Sequence, residues 1–258
     1  MTMYVITHKH FNYNNLPISY VPLLVGADFN PNPDNFLQDN SGENISSRNP
    51  SFCELTGLYW MWKNSGEKNL GLSHYRRYFS KFNNNSELFI TTLFSGNVSP
   101  VPVKKLDSYL DDFDWVVVKP QVGGKGNLWE QFAHFHHEKD MKAVRNVIEE
   151  LSPEYLSSFD YVMDQSSASF FNMFYTSKKE LDKYASWLFP ILFKVEKIID
   201  ISNYDSYQKR LFGFLGERLF NVWLYHRKAK IKTLVEYNSE LVNRAWAARS
   251  IKNDILGW

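Results

Sequence analysis

The strongest constraint on this chain is the order in which two kinds of apolar pattern follow one another in its N-terminal half. Met3–Thr7 (MYVIT) is a short β-branched run ending in Thr7-His8-Lys9, the pattern of a buried strand that opens into a binding loop. Tyr20–Val25 (YVPLLV) is a second run, stopped by Gly26-Ala27-Asp28. It leads into an Asn-, Pro- and Asp-rich stretch from Phe29 to Ser47 that cannot sustain regular structure. From Pro50 the period changes. Phe52, Leu55, Leu58, Tyr59 and Trp62 recur at helical spacing, Pro50 suits a first turn and Asn49 an N-cap, so the spacing predicts one helix over Pro50–Lys63. Asn69–Tyr75 returns to extended character, and the order strand, loop, helix, strand specifies an α/β domain.

Farther along, Trp115–Lys119 (WVVVK) is the clearest buried strand, Glu87–Leu93 and Ser169–Tyr175 read as extended, and Val103–Leu110 as a short helix. Helical periodicity covers Leu128–His136, Glu138–Leu151, Lys178–Ile199 and Leu211–Tyr225. The expected architecture is therefore a mixed central sheet flanked by helices, with a helix-rich C-terminal half. Pro120–Asn127 (PQVGGKGN) holds three glycines but matches neither GxxxxGK[ST] nor GxGxxG, and reads as a lid or plain loop. With no internal repeat or low-complexity linker, residues 1–258 read as a single domain.

A formal net charge of +1 supplies no global field for nucleic acid, so any anion site must be local. The single Cys53 allows no internal disulfide or thiolate metal cluster, which fits a reducing cytoplasm. The N-terminus lacks the apolar core of a secretory signal, and no stretch approaches the ~20 apolar residues of a spanning helix. Basic and aromatic residues mix in Trp223–Lys232 and Arg244–Lys252, as at a membrane surface or on an ordinary solvated helix face.

Chemistry concentrates at Asn69–Ser80 (NLGLSHYRRYFS), where Arg76 and Arg77 end an apolar strand beside His74 and Tyr75; the pair reads either as a grip for a phosphorylated ligand or as surface residues in ion pairs with carboxylates. A guanidinium fork donates two parallel hydrogen bonds to a phosphate, and ligands in open α/β sheets bind outside the carboxyl ends of strands. For a general base, Glu217 in Gly213–Leu219 (GFLGERL) and Asp164 before the expected strand Ser169–Tyr175 are the leading candidates, with Glu130 a competitor; a structural ion pair of Glu217 with Arg218 or Arg210 is an equal alternative. Glu54 is better suited to hold a loop or a ribose hydroxyl, or to complement a helix dipole. His134, His137 and Asp140 would share one face of a continuous helix, a weak metal pattern. Asp112-Phe113-Asp114 is the nearest match to a metal-holding Asp-x-Asp, but it precedes the strand Trp115–Lys119 where a donor site would have it follow.

The block GENISSRNPSFCELTGLYWMWKN (Gly42–Asn64) followed by GLSHYRRYF (Gly71–Phe79) resembles the bacterial DUF4422 family, which is found with capsule, O-antigen and exopolysaccharide synthesis genes and viewed as glycosyltransferases. ITHK (Ile6–Lys9), VGA (Val25–Ala27), NMF (Asn172–Phe174), the Trp187–Glu196 helix and GFLGERL (Gly213–Leu219) are similar to the same family. The resemblance implies a GT-A-like nucleotide-diphosphosugar fold. It further implies transfer of a hexose, galactofuranose among the candidates, from a UDP-linked donor to a lipid-linked or oligosaccharide acceptor at the inner face of the cell membrane. By position, Thr7, His8, Lys9, Gly26 and Ala27 would line the nucleotide, with Asn44 and Ser46 closing over it. Arg76 and Arg77 would face the diphosphate and His74 the sugar or a phosphate oxygen. Residues 1–120 would then form the nucleotide-sugar half and 121–258 the acceptor-side helical half. Without a correctly placed Asp-x-Asp, no cofactor is required by this reading, and Mn or Mg stays an option. A non-catalytic glycan- or nucleotide-binding module of a polysaccharide-assembly complex is the alternative; phosphatase and nucleotidyltransferase signature loops are lacking.

Overall fold

The computed structural model describes residues 1–256. Its strands are β1 (Thr2–Thr7), β2 (Tyr20–Leu24), β3 (Leu37–Gln38), β4 (Asn69–His74), β5 (Arg77–Phe79), β6 (Trp115–Val118), β7 (Gln121–Val122), β8 (Ser167–Ala168), β9 (Phe174–Ser177), β10 (Ile231–Leu234) and β11 (Glu236–Asn238). Its helices are α1 (Asn49–Phe52), α2 (Leu55–Asn64), α3 (Asn85–Ser95), α4 (Val103–Tyr109), α5 (Leu128–Phe135), α6 (Glu138–Leu151), α7 (Leu156–Met163), α8 (Lys178–Ile198), α9 (Leu211–His226) and α10 (Arg244–Leu256). The main sheet runs β10-β6-β9-β4-β1-β2-β3, with β5 turning back on β4 and pairing β11. The pair β7 and β8 forms a separate ribbon within which the glycine-rich stretch begins.

Strand β1 is buried along its whole length and pairs in parallel with β2 and β4, which is why its sequence is a continuous apolar run instead of an alternating one. Its side chains divide between two cores. Tyr4 and Ile6 face the layer of α2, α8 and α9, while Met3 and Val5 face the smaller core that includes Leu88 and Phe89 of α3 and Leu106 of α4. Strand β9 enters antiparallel between β4 and β6, so the second half of the chain supplies a strand to the middle of the sheet. Gly71 permits this. A Cβ there would lie 2.5 Å from the Phe174 carbonyl oxygen and 2.8 Å from Met3 Cε. Gly57 has the same role in the adjoining helical layer, letting α2 settle onto Ile6 and Val25, to which an added Cβ would come within 2.6 and 2.9 Å.

Three local expectations are corrected. The predicted helix over Pro50–Lys63 is two helices, broken at Cys53, whose φ of 50° no helix can accommodate. Glu87–Leu93 belongs to helix α3, because Asn84 Oδ1 accepts the Glu87 N–H at 2.8 Å and Gly96 closes the far end at φ 82°; these caps outweigh the β-branched content of the segment. The strand expected over Ser169–Tyr175 starts only at Phe174, since Phe171 and Asn172 adopt φ of 74° and 52°. In the basic, aromatic C-terminal segments Tyr225 is exposed, whereas two tryptophans are taken up by packing. Trp223 is buried, and Trp246 packs edge-on against Phe89 at 5.0 Å. Among the described residues no helix is long and apolar enough to cross a membrane.

Gly71→Ala should lower unfolding free energy by about 2–4 kcal/mol in chemical denaturation, because backbone sits where its methyl would go. Gly66→Ala, which meets nothing within 4 Å, should stay within about 0.5 kcal/mol of the parent.

Candidate active site

The carboxyl ends of β1 and β4 open onto a cleft of about 700 Å³. Its other walls are the α1–α2 junction, the Phe171 turn and the start of α9. Of the residues singled out in the sequence, Thr7, His8, His74, Arg76, Arg77 and Glu217 line it together. Cys53, Glu54, Tyr207 and Arg210 join them. Arg210, which the sequence offers only as an ion-pair partner for Glu217, is the lining cation that sequence reasoning does not assign to the site. The available signal is its place immediately upstream of α9, whose first turn carries no acid and no side-chain cap, so that cation and helix terminus add their positive potentials.

The three guanidinium groups differ in how far they are already committed. Arg77 is half-buried, Nη1 donates to Glu236 Oε1 at 3.0 Å, and its plane lies over the Phe171 ring at 4.1 Å. Arg76 is exposed and holds Glu240 loosely, at 3.6 Å. Arg210 lies beside the Cys53 thiol and makes no ion pair among the described residues. An incoming oxyanion thus meets one free cation, one loosely held and one already neutralised.

The floor is organised around Phe171 and Asn172. Consecutive left-handed conformations at two non-glycine residues cost of order 1 kcal/mol each, so neighbours must hold them. They do so through the candidate catalytic side chains. Glu217 Oε1 accepts the Phe171 N–H at 2.9 Å, His74 Nε2 donates to the Phe171 carbonyl at 2.7 Å, and Asn172 Nδ2 donates to Glu54 Oε1 at 2.6 Å and to the Gly213 carbonyl at 3.2 Å. A carbonyl can only accept, so His74 carries its proton on Nε2. Burial holds the His74 pKa down to about 4, with Arg77 and Arg76 adding to the effect against the Phe171 carbonyl, so the ring is neutral at pH 7.

Burial raises the Glu217 carboxyl above the ordinary range, opposed by the Arg218 guanidinium at 2.8 Å and reinforced by the charge of Glu54. Glu54, at the N-cap of α2, is raised chiefly by burial as well. The Cys53 thiol is pushed up to about 12, first by burial and then by Glu54, so it stays protonated and is no nucleophile at neutral pH.

Several expected site residues lie elsewhere. The N–H groups of Gly26 and Ala27 donate to Asp39 at 3.0 and 3.1 Å, and Ser46 Oγ and Thr56 Oγ1 complete the set at 2.6 Å each. Asp39 is fully buried, and its carboxylate consumes these donors. Asn44 is spent within the same loop, donating to the Asn40 and Gly42 carbonyls and accepting the Ser46 N–H. None of Gly26, Ala27, Asn44 and Ser46 lines the cleft. Lys9 lines a second cavity, with its ammonium 5.2 Å from the centre of the Tyr75 ring. Asp164 is exposed at the end of α7, accepts from Asn127 Nδ2 at 3.1 Å and does not line the cleft; Glu130 closes the capping box of α5. The chain turns between α5 and α6, so His134, His137 and Asp140 share no helix face, and the Tyr204 hydroxyl donates to Asp140. Asp114 Oδ2 accepts the Lys230 N–H at 2.9 Å at the amino end of β6, the opposite edge of the sheet from the cleft. Among the described residues no three His, Cys, Asp or Glu side chains gather as a metal cluster.

A sequence profile described as "Domain of unknown function (DUF4422)" matches residues 2–228. The chain belongs to the DUF4422 family. The apo structure of the WbbM bifunctional glycosyltransferase is similar, with a TM-score of 0.79 and 27% identity over 92% of this chain and 45% of that one. The DUF4422 chain therefore spans about half the length of WbbM and forms the mixed α/β fold of that portion. No curated protein matches it. The family match ends before β10, so Glu236 and Glu240, the partners of Arg77 and Arg76, lie outside the matched segment.

Because His74 falls from 6.5 to about 4 on folding, the unfolded chain takes up a proton in that interval that the folded chain refuses, and stability drops as pH falls through it. The ring is partly open to the cleft, which reduces the full linkage to about 2 kcal/mol between pH 7 and pH 4. His74→Gln keeps a donor for Phe171 and does not titrate, so urea unfolding of this variant should show a pH slope shallower by that amount.

Proposed function

We propose that the chain is a glycosyltransferase of bacterial cell-surface polysaccharide synthesis that moves a hexose, galactofuranose among the candidates, from a UDP-linked donor to a glycan acceptor. The observation that carries this reading is the convergence of Arg76 and Arg210 with neutral His74 and the carboxyl of Glu217 in one cleft at the carboxyl ends of β1 and β4. The likeness to a portion of WbbM, a bifunctional glycosyltransferase, supports it.

In this reaction the acceptor hydroxyl oxygen forms a bond to the anomeric carbon, and the bond from that carbon to the β-phosphate oxygen breaks. The hydroxyl proton passes to Glu217, whose raised pKa brings its basicity closer to the working pH. Negative charge growing on the departing UDP is met by Arg210, which has no ion pair to give up among the described residues, and by Arg76, which releases only a loose contact with Glu240. His74, uncharged and with its proton committed to the Phe171 carbonyl, leaves Nδ1 as an acceptor for a sugar hydroxyl and offers nothing to a phosphate oxygen. Arg77 is a supporting residue, since Glu236 and Phe171 already occupy it. Cationic side chains carry the diphosphate here, so turnover should survive excess chelator.

Thermal shift against UDP, GDP and uridine tests the donor site, since a ligand confined to the folded state raises its stability. UDP should stabilise the protein and uridine should not. Arg76→Ala and Arg210→Ala should each weaken UDP binding by about tenfold or more, in keeping with loss of a charge-assisted hydrogen bond, and leave the fold intact. Arg77→Ala should instead cost about 1–3 kcal/mol of stability, because Glu236 is left buried without its partner. Absence of any shift with UDP or GDP would remove the proposal.

A further inference from the structure

A second cleft, of about 680 Å³, lies on the other side of Tyr75 from the first, and Tyr75 lines both. Resting on the transferase reading, we propose that it holds the acceptor, with one neutral sugar ring seated against its aromatic floor. Three features carry this.

The floor is apolar at a place where hydroxyl groups would otherwise intrude. Tyr78 and Tyr237 line the cleft, nearly buried, and their hydroxyls donate into backbone, to the Tyr75 carbonyl at 2.8 Å and the Val98 carbonyl at 3.0 Å, so neither hydroxyl proton is offered to a ligand. The rim is polar without commitment: Asn15 and Asn97 line the cleft, are both exposed, and make no side-chain hydrogen bond among the described residues. A carboxamide both donates and accepts, which matches the paired donor and acceptor character of sugar hydroxyls. Finally, the charge balances. Lys9 and Glu240 have opposite sign, and His10, the other ionisable side chain of the lining besides the tyrosines, is spent on Asp34 at 2.8 Å, so the cleft offers no uncommitted net charge to a second phosphate or to a cationic ligand. Apolar floor, amide rim and zero net charge together select a neutral polyhydroxylated ring.

Position fits the chemistry. The Arg76–Glu240 contact, at 3.6 Å, joins a residue of the donor cleft to a residue of this one, so an acceptor ring held here would approach the donor near the β-phosphate, to which the anomeric carbon is bonded, across Tyr75. Tyr237 and Glu240 come from outside the family match, so acceptor recognition draws on a segment beyond the matched residues.

The test is saturation-transfer difference NMR on the full chain with UDP present, using the methyl glycosides of glucose, galactose, mannose and N-acetylglucosamine as probes. At least one glycoside should give signal with the parent protein. Asn97→Trp, which fills the cleft, should abolish it, and Asn15→Ala should weaken binding at least threefold, while the UDP-induced thermal shift of both variants matches the parent. No glycoside signal with the parent, or signal unchanged in both variants, overturns the acceptor site. These outcomes are separate from loss of the UDP shift in the parent, which strikes the donor reading alone.

Discussion

Much of the cleft depends on one costly piece of backbone, the left-handed pair Phe171–Asn172. Neither residue has glycine's freedom, so the conformation persists because Glu217, His74 and Glu54 each give it a hydrogen bond. The dependence runs both ways. The turn fixes the orientation of two carboxyls and an imidazole that come from α9, β4 and the start of α2, and those groups in turn keep β9 from beginning three residues earlier. Burial that makes the carboxyls harder to ionise follows from the same packing, because α2 and α9 must close over the turn, with Gly216 sparing a clash with Leu55 where an added Cβ would fall at 2.9 Å.

Against this rigid floor, the cationic side of the cleft is graded. Arg77 is anchored by a carboxylate and an aromatic face, Arg76 is restrained loosely, and Arg210 stands at an uncapped helix end. Such grading separates positioning from binding. A fully paired guanidinium must lose its partner before gripping a ligand, and the cost of leaving that partner buried offsets the gain. The adjacent arginines, equivalent in sequence, are therefore unequal in the folded protein.

How much of this is legible in the sequence depends on how local each cause is. β1, β4, β6 and the long helices α6, α8 and α9 follow from periodicity and lie where the pattern puts them. The break at Cys53 and the late start of β9 do not, because both answer to partners far along the chain: Gly213 lies under Cys53, and Glu217 under Phe171. Within the site, the strand-end residues Thr7, His8, His74, Arg76 and Arg77 are readable as neighbours because strand ends converge in any parallel sheet. Gly26, Ala27, Asn44 and Ser46 mislead for a different reason. A loop rich in donors looks like a ligand site until one knows which carboxylate is buried inside it, and nothing in the sequence distinguishes Asp39 from Asp28 or Asp34.

The paired arginines carry a consequence for where this protein can be cut. The family match stops at residue 228, yet β10 extends the sheet at β6, β11 zips onto β5, and the two carboxylates that counterbalance Arg76 and Arg77 follow. The matched module and the folded unit are therefore different objects. A fragment trimmed to the family limits would keep every residue lining the first cleft while stripping β6 of one of its two neighbours and turning a balanced arginine pair into an indiscriminate anion trap.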